Sequence, residues 1–445
     1  MGVVETARHA ERVVVVGAGL AGSEAAFQLA RRGVPVLLLE QKPCARSPAH
    51  ASDDFAELVC SNSLRAAGLA NAVGLLKQEL RELGSLVLEV ADACAVPAGR
   101  ALAVDRAAFA RAVTERIESH PRIEVRRERV DRIPEDPLVV LATGPLTSDA
   151  LAADLERRLP ERSLYFYDAI APIVYADSVD CEVAFRASRW EEGEGDYLNL
   201  PLSEAEYFGF VEALLAAETV PLHRFEASLY FEGCLPIEEM ARRGPRTLAF
   251  GPMKPVGIRD PRTGAQPFAV VQLRQEDKRG VLYNLVGFQT RLRVAEQERV
   301  LRTLPGLGEA VFARYGSVHR NTYVNAPACL SETLELRART GLYLAGQLAG
   351  VEGYVESAAL GLLAGVFAAS AFQGRDAVPP PAATALAALL RHLREGDARA
   401  FQPSNVNYGL FPPLASPPRG RRERNLALAA RALGELAAFA ERVAP

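Results

Sequence analysis

The chain has 445 residues, too many for one typical domain and enough for two or three. Its 51 basic and 55 acidic residues leave a formal charge of −4, so no global positive field advertises a polyanionic partner, and any such partner needs a local patch. Nearly half the residues (49%) are apolar and 24% are charged, which excludes a disordered or fibrous chain and suits a globular protein with a sizeable core.

The first twelve residues are of mixed character and precede a run of four valines, too short for the apolar region of a signal peptide. Val13–Val16 reads as a strand buried on both faces, as in parallel sheets. A helix is expected over 21–32, stopped by Gly33, and a second buried strand over 34–40 ends in Glu40. Residues 50–64 are polar and irregular, and helical spacing resumes over 75–83. Two more strands are expected at Ile123–Arg127 and 138–142, the second running into Thr143 and Gly144. Between 164 and 323 the texture changes, with denser Tyr and Phe and no βαβ rhythm. A further buried strand over 341–346 precedes a small-residue helix over 352–372, residues 379–381 form a proline loop, and 425–443 read as a closing helix. The longest apolar stretch, 358–372, is too short to span a membrane.

The expected fold is therefore α/β: a Rossmann-type, glutathione-reductase-like dinucleotide-binding domain made from both ends of the chain (1–163 and 331–445), interrupted by an α+β insertion (164–330). Consecutive independent domains are the alternative.

Gly17-Ala18-Gly19-Leu20-Ala21-Gly22 fits G-x-G-x-x-G, and its context gives it weight. It follows a strand, opens a helix, and is answered by Glu40 at the end of the next strand, 18 residues after Gly22. The first glycine permits the tight turn, the second lets backbone approach a pyrophosphate, and the third allows close helix–strand packing. The phosphates then sit at a helix N-terminus, and Glu40 accepts hydrogen bonds from a ribose hydroxyl. The position at the start of the chain, with Thr143-Gly144 and the late strand ending at Gly346, favours FAD over NAD.

Six cysteines (44, 60, 94, 181, 234, 329) show neither a C-x-x-C pair nor metal-ligand spacing, so no metal site is expected. Only Lys42, Lys77, Lys254 and Lys278 are lysines, the other basic residues being arginine.

Several blocks resemble the folate- and FAD-dependent tRNA (uracil-5-)-methyltransferases, the TrmFO family, related to the GidA/MnmG flavoproteins. They are 17–24, 55–64 (FAELVCSNSL), 74–80 (GLLKQEL), 96–106 (VPAGRALAVDR), 142–148 (ATGPLTS), 165–173 (YFYDAIAPI), 231–236 (FEGCLP), 251–257 (GPMKPVG), 271–274 (VQLR), 284–290 (NLVGFQT), 319–322 (HRNT) and 346–357 (GQLAGVEGYVES). The resemblance implies that a methylene group passes from 5,10-methylenetetrahydrofolate to FAD and then to C5 of uridine 54 in the tRNA T-loop. NADH or NADPH reduces the flavin, and the product is 5-methyluridine. The family usually follows its strand-end Glu with Met-Arg-Pro, whereas this chain has Gln41-Lys42-Pro43, so the flanking base is changed.

Uracil C5 becomes nucleophilic once a thiolate adds to C6. Cys234, just before a helix expected from Ile237 with Pro236 at its start, is the first candidate, and Cys60 in the polar loop 59–63 is the second; which of them is the nucleophile stays open. Cys44, Cys94, Cys181 and Cys329 match no motif and read as structural. Gly346, Gln347, Gly350, Val351 and Gly353 are expected at the flavin-ring end, with Tyr354 as a ring to sandwich folate. His319, Arg320 and Asn321 are assigned to folate or active-site hydrogen bonding, and Lys254 to the folate glutamate tail or an RNA phosphate. Arginines 242/243/246, 291/293 and 419/421/422/424 are candidate tRNA surfaces. The implied partners are tRNA and folate, with no membrane and no protein partner required, in the cytoplasm. Two other readings stand beside this one: a wobble-uridine modifier of the GidA/MnmG type, and a flavin-bearing RNA-binding protein.

Overall fold

Four consecutive valines make β1 (Val13–Val16), and all four are buried. Their branched side chains favour a strand covered on both faces, the position they take at the middle of a parallel sheet. The computed structural model describes residues 10–47, 49–159, 164–169, 171–190, 195–220, 235–316, 318–399 and 401–445. After β1 come α1 (Leu20–Arg31), β2 (Val36–Glu40), β3 (Ser63–Ala66), α2 (Ala72–Glu82), α3 (Leu86–Ala93), β4 (Ala95–Val96), β5 (Ala101–Val104), α4 (Arg106–Glu118), β6 (Ile123–Arg127) and β7 (Val139–Leu141). The middle of the chain contributes β8 (Leu164–Ala169), β9 (Ile173–Tyr175), β10 (Phe185–Ala187), β11 (Tyr197–Leu202), α5 (Glu204–Ala216), β12 (Ala269–Gln275), β13 (Leu282–Leu285), α6 (Val294–Leu301), β14 (Phe312–Arg314) and β15 (Val318–Tyr323). The chain closes with β16 (Leu342–Leu344), α7 (Tyr354–Phe372), α8 (Ala385–Glu395) and α9 (Arg421–Arg442), with short helical turns between these elements.

The main sheet has the order β16-β7-β1-β2-β6, and every neighbouring pair is parallel. Val13 stands opposite Val36, and Leu342 opposite Val139. Strand β16, some 200 residues from β7 in sequence, thus completes a sheet begun at the N-terminus. Helices α1 and α7 cross closely because α7 offers glycines at the contact. A Cβ at Gly361 would lie 2.3 Å from the Ala21 carbonyl oxygen, and one at Gly365 would lie 2.8 Å from that of Ala25. Helix α7 is long and apolar enough to cross a membrane by length and composition, but 83% of its apolar window is buried in the protein.

A second, mostly antiparallel sheet, β10-β11-β12-β13-β9-β14, carries its own apolar cluster around Leu200, Phe210, Val271 and Phe288. The chain passes into and out of this region along one antiparallel ribbon, β8 with β15. The small sheet β3-β5-β4 lies between the two regions, where the Arg106 N–H donates to the Glu276 carbonyl and the Tyr197 hydroxyl to that of Ala98.

Most expected elements differ from the observed ones only by a residue or two at the ends. Helix α8, beyond the proline loop, was not expected; Thr384 caps it through its side-chain oxygen, 3.1 Å from the Ala387 N–H.

A trough across the glycine turn

The sheet order reverses about β1, where the chain leaves first toward β2 and later toward β7 and β16. A crevice at the C-terminal ends of such strands is where open α/β sheets take ligands. Two adjoining concavities occupy it here. A narrow one is lined by Gly17, Gly19, Glu40, Lys42, His50, Thr143 and Thr147. A chamber of about 360 Å³ is lined by Leu20, Ala21, Cys60, Arg65, Gly144, Arg274, Gly346, Gln347, Gly353 and Tyr354, among others. Gly19, His50, Glu57, Ala142, Thr143 and Leu146 line both, so the two form one elongated trough.

The narrow end is made by backbone. Gly17 has φ +94°, and a Cβ there would lie 2.8 Å from the Ala142 carbonyl oxygen. A Cβ at Gly22 would fall 1.7 Å from the Gly17 carbonyl oxygen, so α1 can sit against β1 only with glycine at that place. Gly19 faces open space and is the N-cap of α1 with no side-chain cap, which leaves N–H groups of the first turn directed at the trough. Glu40 is buried; one carboxylate oxygen accepts the Ala18 N–H (2.8 Å) and the other the Lys42 N–H (3.0 Å). Lys42, the departure noted in the sequence, forms a buried ion pair with Glu57 at 3.6 Å. The Thr143 and Thr147 hydroxyls bond at 2.6 Å, and Thr147 donates to the Gly144 carbonyl at 2.8 Å.

The chamber end is made by side chains. The hydroxyl of Tyr354, the first residue of α7, accepts the N–H groups of Cys60 (2.7 Å) and Ser61 (3.1 Å). Burial, with Cys60 adjoining, holds this phenol well above the ordinary tyrosine range, so it stays protonated. Arg274 donates to Asn62 Oδ1 (2.9 Å) and to the Ser61 hydroxyl (2.8 Å). Asn62 donates in turn to the carbonyls of Val104 (3.0 Å) and Gln275 (2.9 Å). Arg106 donates to the Leu58 carbonyl at 2.7 Å and pairs with Glu276 at 2.7 Å. The loop carrying the half-buried Cys60 is thus fixed from both regions of the molecule. Beyond it, Lys77 is fully buried and its ammonium donates to three successive carbonyls, those of Leu64 (2.8 Å), Arg65 (3.0 Å) and Ala66 (2.7 Å). Burial draws its pKa down to about 7. Arg65, held there with φ +63°, pairs with Glu356, which is buried in the first turn of α7.

The residues expected from sequence distribute unevenly. Gly17, Gly19, Leu20, Ala21, Glu40, Thr143, Gly144, Gly346, Gln347, Gly353, Cys60 and Tyr354 line the trough. Ala18 and Gly22 lie behind its wall, holding Glu40 and α1 in place. Gly350 and Val351 do not line it: Gly350 faces the Phe401 ring, and Val351 bridges to Ser404. Lys254 is exposed on the middle region, away from the trough, where its carbonyl accepts from Arg189. Cys234 lies outside the described residues. His319, Arg320 and Asn321 lie on β15 opposite Asp168, Tyr167 and Phe166, and their side chains are outside the described part. Cys94 and Cys329 are buried, whereas Cys44 and Cys181 are exposed rather than packed in the core. Sequence reasoning missed His50, Arg65, Arg106, Arg274 and Lys77. The signals available were a lysine in a chain with four, and polar residues inside the blocks 271–274 and 74–80. Burial, with Lys42 close by, lowers the pKa of His50, whose ring nitrogen lies 2.7 Å from the Ser47 hydroxyl.

Residues 12–376 match the family described as glucose inhibited division protein A. The structure of Aquifex aeolicus GidA is similar with a TM-score of 0.71, covering 97% of this chain and 76% of that one at 17% identity, a likeness of fold alone. The sheets are thus those of a mixed α/β protein of the GidA class. Sequence narrows the class. A protein of Desulforudis audaxviator named methylenetetrahydrofolate–tRNA-(uracil-5-)-methyltransferase TrmFO is 58% identical over 428 residues, 96% of this chain and 98% of its own. The protein of that name from Heliobacterium modesticaldum is 56% identical over 427 residues, 96% of this chain and 97% of its own. The chain belongs to the TrmFO family.

Proposed function

We propose that this chain methylates C5 of the T-loop uridine at tRNA position 54, using methylenetetrahydrofolate, FAD and NADH or NADPH, and that the reaction takes place in the chamber beside Cys60. The observation that carries the reading is identity of 53–58% along nearly the whole chain to enzymes named for this reaction. In this reading, residues 1–163 and 331–445 are a Rossmann-type, glutathione-reductase-like FAD domain, and 164–330 are an α+β insertion on the folate and tRNA side. The separate apolar clusters of the two regions support that division.

FAD fits the trough on three grounds: its elongation, the open space at Gly19, and the pair of uncapped helix N-termini facing it, those of α1 and α7. Glu40 would take a ribose hydroxyl, and the first-turn N–H groups of α1 would take the pyrophosphate. Thr143, Gly144, Gly346, Gln347 and Gly353 would line the rest of the cofactor. The N–H groups at the start of α7 would favour negative charge on a reduced flavin held there. When bound, FAD supplies the chemistry of a carrier for one hydride and one carbon.

The thiolate of Cys234 adds to C6 of the uracil, which makes C5 a nucleophile toward the one-carbon unit; once C5 has bonded to that carbon, loss of the C5 proton expels the thiolate, and a hydride completes the methyl group. Cys60 assists removal of that proton, with its position set by the Tyr354 hydroxyl. Tyr354 presents its ring to the folate, and His319, Arg320 and Asn321 hydrogen-bond within the same site. Lys254 remains for an RNA phosphate. The same reading places the enzyme in the cytoplasm, with no membrane and no protein partner required.

The test incubates reduced holoenzyme with methylene-labelled folate and unmodified tRNA. Label in 5-methyluridine is the expected result, and its absence rejects the reading. Cys234→Ala is expected to abolish turnover while the protein stays yellow; retained turnover removes Cys234 from the mechanism.

A wobble-uridine modifier of the GidA type has the fold and the broad family match in its favour, but the structural likeness is 17% identical and leaves about a quarter of the GidA chain without a counterpart.

A further inference from the structure

Arginine clusters on this protein are mostly spent on its own acids. Arg242 pairs with Glu239 at 2.6 Å, Arg246 with Glu204 at 3.3 Å, and Arg293 with Glu218 at 2.8 Å. Arg291, only 14% exposed, lies against Glu239. The cluster at the start of α9 differs. Among the described residues, Arg421 and Arg424 have no carboxylate partner, although the chain as a whole carries more acids than bases.

Both face a groove of about 720 Å³ that runs between the N-terminal turns of α2 and α9 and the segment 406–414. Its volume is in the range of small-molecule sites, roughly 300–1,000 Å³. Arg65, Arg421 and Arg424 line it, and no acid does; Glu423, in the same turn of α9, stays off its wall. Helix α2 begins here without a side-chain cap, at Asn71, so its first-turn N–H groups add to the positive field, whereas at α9 the Glu423 carboxylate lies against Gly420. The floor is apolar, with Val73, Val406, Phe411 and Leu428. Arg65 lines this groove and also the flavin chamber, so the two cavities share that residue. Lys77 and Glu356 hold that arginine from either side.

We propose that this groove binds the poly-γ-glutamate tail of the folate co-substrate, with Arg65 at the junction and Arg421 and Arg424 further out. The proposal rests on the reading of the chamber as the folate site. A folate ring placed in the chamber would send its glutamate end past Arg65, whose charge is paired with Glu356, toward Arg421 and Arg424. Each glutamyl unit repeats one carboxylate on a short methylene chain, which matches guanidinium groups above an apolar floor. An RNA backbone also carries repeated negative charge, but it has no methylene face for that floor, and the groove shares Arg65 with the chamber.

The test measures Kd of the FAD-loaded enzyme for tetrahydrofolate monoglutamate and pentaglutamate by flavin absorbance titration without tRNA, and Kd for tRNA by filter binding. The native enzyme is expected to bind the pentaglutamate about tenfold tighter, given one exposed ion pair or two at the strength usual for such pairs. In Arg421→Ala/Arg424→Ala the two folates are expected to bind within about twofold of each other. Equal affinities in the native enzyme, or a preference that survives in the double variant, overturn the proposal. So does a double variant that weakens tRNA binding and leaves the folate preference intact, which makes the groove an RNA surface. Failure of both folates to bind rejects the chamber reading along with this one, whereas equal binding of both rejects the groove alone.

Discussion

The two ends of the trough are built by different means. At the glycine turn, backbone does nearly everything: Gly17 and Gly22 permit contacts no side chain would allow, and Glu40 ties down the turn within 22 residues of sequence. At the Cys60 loop, side chains from distant places converge. Tyr354 arrives from 294 residues away, Arg274 from 212, and the Asn62 amide reaches Gln275 across 213. The first end is a backbone construction that tolerates no bulk. The second is a suspended loop whose position depends on hydrogen bonds that each have a replaceable partner.

The sharpest way to break the contrast is at Gly22. Gly22→Ala places a methyl 1.7 Å from the Gly17 carbonyl oxygen, which no rotamer relieves. Loss of flavin from the purified protein is expected, read as visible absorbance per polypeptide. A yellow, stoichiometric variant would show that the turn has more freedom than its geometry implies.

At the other end, Tyr354→Phe removes the acceptor of two N–H groups and leaves the ring. Each stranded donor costs about 1–3 kcal/mol. The expectation is that flavin stays bound while kcat falls by about tenfold or more. Unchanged kcat would mean that the loop is held well enough without Tyr354.

A smaller effect separates stability from both ends. Glu79, on α2, accepts the N–H groups of Ala385 (2.7 Å) and Leu386 (3.0 Å) at the start of α8, and burial pushes its pKa up to about 8. The folded state therefore holds a proton that the unfolded state releases near 4.5, and stability falls as pH rises from there through about 8. Glu79→Gln removes this ionisation. Its melting temperature is expected to lose that part of the pH dependence and to exceed the native value by a few degrees at about pH 8. An identical pH profile in the two proteins would place the effect elsewhere.

The same contrast explains what could be read in advance. The strand, turn and helix at 13–31 and the acid at Glu40 follow from spacing and β-branching, because the contacts that shape the turn itself, Gly22 against Gly17 and Glu40 to Ala18, lie within 22 residues. The late segment at 346–354 was readable from its resemblance to a family, although Gly350 and Val351 proved to support the trough from outside it. Arg65, Lys77, Arg106 and Arg274 were not legible. Nothing in the neighbourhood of Arg65 announces a carboxylate 291 residues downstream, and an arginine-rich composition makes any one arginine inconspicuous. Lys77 carried a faint signal as one of four lysines, but its three carbonyl partners come from a neighbouring strand, not from its own helix.

Strand β16 has a consequence for biogenesis. The parallel sheet and the chamber wall both need residues from 342 onward, so a ribosome has translated more than three quarters of the message before a flavin pocket can close. Until then the nascent polypeptide carries an unfinished sheet, with β7 exposed along the edge that β16 later covers. Cofactor loading is thereby tied to completion of synthesis: chains stalled or cleaved ahead of β16 are colourless, and flavin content reports how much of the protein was made to its end.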